Sequence, residues 1–112
     1  MKLITAVIQP HALERVMDSL RQHGVQGLTI TEAVGSGSQG GHTEVYRGAE
    51  YRIDTIPKIK LETLVDDLDE QRVIDWIVAA ARSGNIGDGK VWSTDVGTVI
   101  RVRTGEVGVA AL

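Results

Sequence analysis

Hydrophobic positions fall into short blocks whose spacing changes along the chain, and each change marks an element. Residues 2–9 form a nearly unbroken apolar run rich in β-branched side chains. This predicts a strand covered on both faces, with Leu3 and Val7 on one side and Ile4 and Ile8 on the other. Pro10 then pre-sets a helix start, and Leu13, Val16, Met17 and Leu20 follow at helical spacing until Gly24 stops the run. Residues 27–34, with Leu28, Thr29, Ile30 and Thr31, have the β-branched content of a second strand. Residues 58–66 alternate Ile59, Leu61, Thr63 and Val65 against Lys58, Lys60 and Glu62, the pattern of a half-polar strand. Asp69 is the expected N-cap of a second helix with the stripe Ile74, Ile77, Val78 and Ala81, closed by Arg82 and Gly84 where a cation and a glycine belong. Residues 90–96 and 98–102 complete the chain as strands.

The order β-α-β, then β-α-β with an additional strand, predicts an α+β fold, a ferredoxin-like βαββαβ sandwich. Two helices cover only one face of such a sheet, so the second apolar face of the first strand is expected to meet another subunit. Between the second and third strands, residues 35–56 show no hydrophobic period, and a connection of that length inside a compact domain points to a functional loop. Residues 35–41 are glycine-rich and offer backbone amides, whereas residues 42–54 are charged and carry Tyr46 and Tyr51.

Composition narrows the chemistry. A chain of 112 residues suits a single domain. It contains no Cys, which removes disulfides, thiolate metal sites and cysteine nucleophiles, and His11, His23 and His42 are too far apart for a helical ligand pair. A net charge of −3 supplies no basic field, so nucleic acid or an anionic membrane is not an expected direct partner. The apolar start before Pro10 is too short for a signal peptide or a spanning helix, and a cytoplasmic protein is expected. No Ser/His/Asp or Cys/His set suggests catalysis.

Two glycine motifs nearly match known signatures and fail on context. Gly35, Gly37 and Gly40 satisfy G-x-G-x-x-G, but no helix pattern follows to receive a pyrophosphate. Gly84 with Gly89 and Lys90 satisfies most of a phosphate-binding loop, but Val91 replaces the hydroxyl that would ligate magnesium, and the segment reads on as a strand. What survives is local. Glycines let backbone N–H groups converge on an anion, and Lys90 adds a charge beside Gly87 and Gly89. Arg101 and Arg103, alternating with Val102, are expected to project from one face of a strand with a forked geometry suited to phosphate. Together these cations and turns suggest a triphosphate site.

Three stretches carry a resemblance: Tyr46-Arg47-Gly48-Ala49-Glu50-Tyr51, then Gly84-Asn85-Ile86-Gly87-Asp88-Gly89-Lys90-Val91-Trp92, and Arg101-Val102-Arg103-Thr104-Gly105-Glu106. With Thr29, Pro57-Lys58 and the glycine-flanked Gln39 in register, the chain resembles the nitrogen regulatory P-II signal-transduction proteins along essentially its whole length. The resemblance implies a single P-II-like domain over residues 1–112, with a regulatory loop at 35–56, a nucleotide loop at 83–90 and a C-terminal segment at 101–112. It implies a homotrimer that binds ATP or ADP between subunits, senses 2-oxoglutarate with Mg2+ and ATP, and docks its loop on a regulated enzyme, transporter or transcription regulator. Any membrane association would then come through a transporter partner. By matching positions, Thr29, Gly37, Ser38, Glu62, Leu64, Gly87, Asp88, Gly89, Lys90, Arg101 and Arg103 would surround the nucleotide. Gln39, Gly41, Lys58 and Gly87 would meet the effector, Gln39 would ligate Mg2+, and Tyr51 would be the modified loop tyrosine, expected near an exposed tip. The chain departs from the usual pattern at Ser38 and Gly40, where the family commonly has Arg and Lys, at Thr55, commonly Phe, and at His11-Ala12 after Pro10. Two effector readings therefore stay open, 2-oxoglutarate or a smaller anion such as bicarbonate, the second belonging to a divergent paralogue that senses adenylates and regulates carbon metabolism or a transporter.

Overall fold

The computed structural model describes residues 1–37, 42–53 and 55–112. Strand β1 (Lys2–Ile8) leads through a 3-10 turn (Pro10–Ala12) into helix α1 (Leu13–Gln22). Strand β2 (Thr29–Gly35), a hairpin of β3 (His42–Tyr46) and β4 (Ala49–Ile53), and strand β5 (Ile56–Val65) follow. A second 3-10 turn (Asp67–Asp69), helix α2 (Glu70–Ala81), strand β6 (Gly89–Asp95) and a last 3-10 turn (Gly108–Ala111) complete the chain.

The main sheet has the order β2-β5-β1-β6, with antiparallel neighbours throughout. Strand β1 is paired along both edges, Ile4 facing Thr63 of β5 on one side and Ser93 of β6 on the other. Each helix joins strands that are not neighbours, so the expected split β-α-β halves interleave.

Both helices lie on one face. Ile4, Ala6 and Ile8 of β1 and Ile59, Leu61 and Val65 of β5 are buried against Ala12, Val16, Leu20, Val73, Ile77 and Ala81. Burying one such Val, Leu or Ile side chain contributes about 1.5–3 kcal/mol. The phase of α2 differs from the expected stripe: Val73, Ile77 and Ala81 form its buried centre, while Ile74 flanks the core. Asp69 occupies the N-cap position without a side-chain cap bond and pairs instead with Arg72, while Asp66 receives the amide of Leu68 to cap the preceding 3-10 turn. That extra turn sets where the helix begins. Buried Thr63 is satisfied by donating its hydroxyl to the Gly27 carbonyl at 2.7 Å.

Among the described residues no helix covers the opposite sheet face. By strand alternation it carries Leu3, Thr5 and Val7, with Leu64 and Trp92 still 41% and 43% exposed. The register places Thr5 between Glu62 and Trp92.

Two expectations are corrected. The aperiodic stretch before β5 contains a two-stranded hairpin, closed by Arg47 and Gly48 at φ 52° and 77°, the paired positive angles of a type I′ turn. Residues 98–102 are not a strand: one bridge joins Ile100 to Val107 and the chain turns back between them. The amide of Arg101 donates to the Glu106 carbonyl at 2.9 Å, and that of Gly105 to the Arg101 carbonyl at 2.8 Å. Gly105, at φ 72°, allows the reversal.

Ile77 is fully buried beneath the sheet. Ile77→Ala should lower the unfolding free energy by about 2–5 kcal/mol, measured by chemical denaturation at fixed protein concentration.

Candidate functional site

The candidate residues gather in two separate clefts. The first, of about 410 Å³, opens where β2 ends, β5 begins and β6 begins; Gly37, Lys58, Gly87, Asp88, Gly89 and Lys90 line it. Its shape begins with a close approach. Gly89 has φ +102°, and a Cβ built there would sit 1.8 Å from the Val7 carbonyl oxygen of β1. Only glycine lets β6 start flush against β1, and that contact fixes where the loop before it must end.

The loop is then closed on itself by Asp88. Its carboxylate accepts the amides of Ser83 at 2.8 Å and Gly84 at 2.9 Å, together with the Ser83 hydroxyl. The Ser83 hydroxyl, aided by the Ser83 and Gly84 amides and by His11, holds the Asp88 carboxyl below its ordinary value of 3.8 against a smaller opposing effect of burial. Asp88 therefore shapes the loop by its own bonds. Lys58 reaches across from β5 and donates to the Gly87 carbonyl at 2.7 Å, which ties the loop to the sheet. Lys90 is exposed at the mouth, opposite Val7 in the β1 register.

The second cleft is larger, about 960 Å³, and lies at the other end of the same strands. Thr29 at the start of β2, Glu62 and Leu64 near the end of β5, and Arg101 line it. Glu62 stands 3.8 Å from Lys60 on the same strand face. Beyond these, His23 stacks on Trp76 with ring centroids 4.0 Å apart and planes 13° from parallel, forming part of the cleft wall.

Arg103 joins neither cleft. It is exposed on the turn after Arg101, so the two arginines do not share a strand face; the reversal at residues 102–104 separates them. Ser38, Gln39 and Gly41 lie outside the described residues, as does Gly40. Tyr51 belongs to β4, where its backbone pairs with Glu44, and the hairpin tip is formed by Arg47 and Gly48 instead. Both rejected glycine motifs meet strands: β3 is the next described element after Gly37, and Lys90 continues β6.

Sequence reasoning missed Trp92, Val7 and Asn85 in the first cleft and His23, Arg72 and Trp76 in the second. Trp92 was accessible to it, because it follows Lys90 by two positions on one strand face. The others come from distant elements.

Comparison with known proteins agrees with the early resemblance. The family described as "Nitrogen regulatory protein P-II" matches residues 1–106. A nitrogen regulatory protein P-II of Rhizobium meliloti (strain 1021) is 50% identical over 112 residues, covering 100% of both chains. The corresponding protein of Azospirillum brasilense is 49% identical over 112 residues with 100% of both chains covered. Nitrogen regulatory protein GlnK of Escherichia coli (strain K12) is 48% identical, again with 100% of both chains covered.

Gly89→Ala should force β6 away from β1 and cost at least about 1–3 kcal/mol for the strained backbone alone, seen as a lower unfolding midpoint. For Asp88 the folded value lies below the unfolded one, so its ionised form stabilises the fold above pH 3.8. That contribution disappears as pH falls through the lowered value. An acid titration followed by circular dichroism should show a shallower loss of stability in that window for Asp88→Asn than for the parent.

Proposed function

The chain belongs to the nitrogen regulatory P-II family, and from that membership we propose that it is a homotrimeric regulator that binds ATP or ADP between subunits and acts on targets through residues 35–56. Its relatives are named as regulatory proteins, and it is a regulator rather than an enzyme.

One observation carries the intersubunit reading: the candidate nucleotide residues other than Ser38 and Arg103 divide between two clefts that share no lining residue. Thr29 and Gly35 mark the two ends of β2, about 20 Å of strand apart. A ligand that meets both sets is best served by two copies, one offering Lys90 and the amides around Gly87 and Gly89, the next offering Thr29, Glu62, Leu64 and Arg101. Two different surfaces meeting head to tail close into a ring when the rotation allows, which is the geometry of a cyclic trimer. The helix-free sheet face, with Leu64 and Trp92 half-exposed, supplies apolar surface for that contact.

Regulation follows from the position of the first cleft. Gly35, Ser36 and Gly37 line it and open the regulatory arm assigned to residues 35–56, so an occupant acts at the root of the arm. ATP and ADP switch the protein only insofar as they bind its arm conformations with different affinities. The second effector is 2-oxoglutarate with Mg2+ and ATP, or a smaller anion such as bicarbonate; Ser38 and Gly40 bring no positive charge to it, and among the described residues Lys58 and Lys90 are the cations at the cleft. Among the described residues no group of three His, Cys, Asp or Glu side chains could hold a metal. Mg2+ would rest on phosphate and water oxygens, as it commonly does, with the Gln39 amide oxygen as the contribution of the chain. A cytoplasmic location is part of the same family-based reading; none of the described helices is long and apolar enough to cross a membrane.

Calorimetry with ATP, ADP, 2-oxoglutarate and bicarbonate, combined with light scattering, tests this reading. A trimer mass and saturable binding of ATP and ADP are expected. Lys90→Ala should weaken ATP about tenfold, the scale of one charge-assisted phosphate contact. A monomer mass at micromolar concentration, or no binding of either nucleotide, would overturn the proposal.

A further inference from the structure

After β6 the chain folds into a small closed unit over the larger cleft. Ile100 bridges Val107, the Gly108 amide donates to the Val99 carbonyl at 2.9 Å, and the 3-10 turn Gly108–Ala111 carries the chain back toward Arg101. There the Arg101 guanidinium donates from Nη2 to the main-chain oxygen of Leu112 at 2.8 Å and from Nη1 to the Glu106 carboxylate at 3.3 Å. The Thr104 hydroxyl donates to the same Glu106 oxygen at 2.8 Å, which holds the carboxylate in place. Val109, Ala111 and Leu112 line the cleft together with Arg101.

Two cations line this cleft among the described residues, Arg72 and Arg101. Arg72 is paired with Asp69 at the start of its own helix. Arg101 is held by two oxygens in the forked arrangement that a phosphate or carboxylate would otherwise supply. We propose that Glu106 and the Leu112 oxygen act as an internal stand-in for the anionic group of the ligand, so that residues 104–112 form a displaceable latch on the larger cleft. The inference rests on the nucleotide reading above and adds a competition to it. A phosphate that reaches Arg101 must replace at least one of these oxygens, and the segment they anchor is released as it does so. Glu106 is then a specificity-determining residue: a ligand without an anionic group has nothing to exchange for it.

Glu106→Gln keeps the shape of the side chain and removes its charge. In calorimetric titration with ATP it should tighten binding by about three- to tenfold, the scale of the difference between a charged and a neutral hydrogen bond. Adenosine, which has no phosphate, should show no such gain. Hydrogen exchange on the unsubstituted protein gives an independent readout. Saturating ATP should speed exchange at the amides of Gly105, Gly108 and Leu112, which are hydrogen-bonded within the segment. Unchanged or weaker ATP binding by Glu106→Gln, or slower exchange at those amides with ATP bound, would overturn the latch while leaving nucleotide binding intact. Absence of ATP binding by both proteins would overturn the nucleotide reading itself, and the latch with it.

Discussion

Pairing of β1 along both of its edges is the constraint on which the rest of the structure depends. Every residue from Lys2 to Ile8 has a partner on β5 and another on β6, so the strand has no freedom to slide without turning its apolar side chains to the wrong face. The end of that register is where β6 must begin, and Gly89 makes the join possible by leaving no side chain against the Val7 carbonyl. The loop before Gly89 is therefore positioned from the sheet outward. Asp88 closes it from within and Lys58 ties it to β5.

The same sheet separates the two clefts. Because β2 and β5 each run from one end of the sheet to the other, residues close in sequence, such as Lys58 and Glu62, belong to different clefts. Gly35, Ser36 and Gly37 line the first cleft, whereas Arg101, Val109, Ala111 and Leu112 line the second, so the root of residues 35–56 and the C-terminal segment stand at different clefts of one chain. Between them lies the core, which the helices cover with a single tightly buried layer.

Charges in this protein work mainly by shaping its loops. Asp88, Lys58 and Arg101 all face a cleft, yet each is bonded to main-chain atoms of its own chain. These bonds set backbone geometry, and in the case of Arg101 they tie the turn after β6 to the last residue of the C-terminal segment. Lys90 and Arg103 are the contrast, being exposed cations without a hydrogen bond or ion pair among the described residues.

The sequence by itself determined β1, α1, β5, α2 and β6: α1, β5 and α2 were legible because burial on one face imposes a period, and β1 because a nearly unbroken β-branched apolar run marks a strand shielded on both faces. It also carried the family, through motifs around Tyr51, Gly87 and Arg101, and the glycine and lysine of the first cleft. Tertiary structure decided the rest. The phase of α2 shifted to Val73 because Ile74 and Val78 are also apolar, and only packing against α1, β1 and β6 chooses among such neighbours. The β3–β4 hairpin was hidden because its sequence shows no hydrophobic period and its turn uses Arg47 rather than Asn or Asp before Gly48. Ile100, Val102 and their arginines imitate a strand by composition, but a strand needs a partner along its length, and here the chain turns back after one bridge. The division of the candidate residues between two clefts was likewise absent from the sequence, because spacing along a chain says which face a residue shares and not which distant element arrives to meet it.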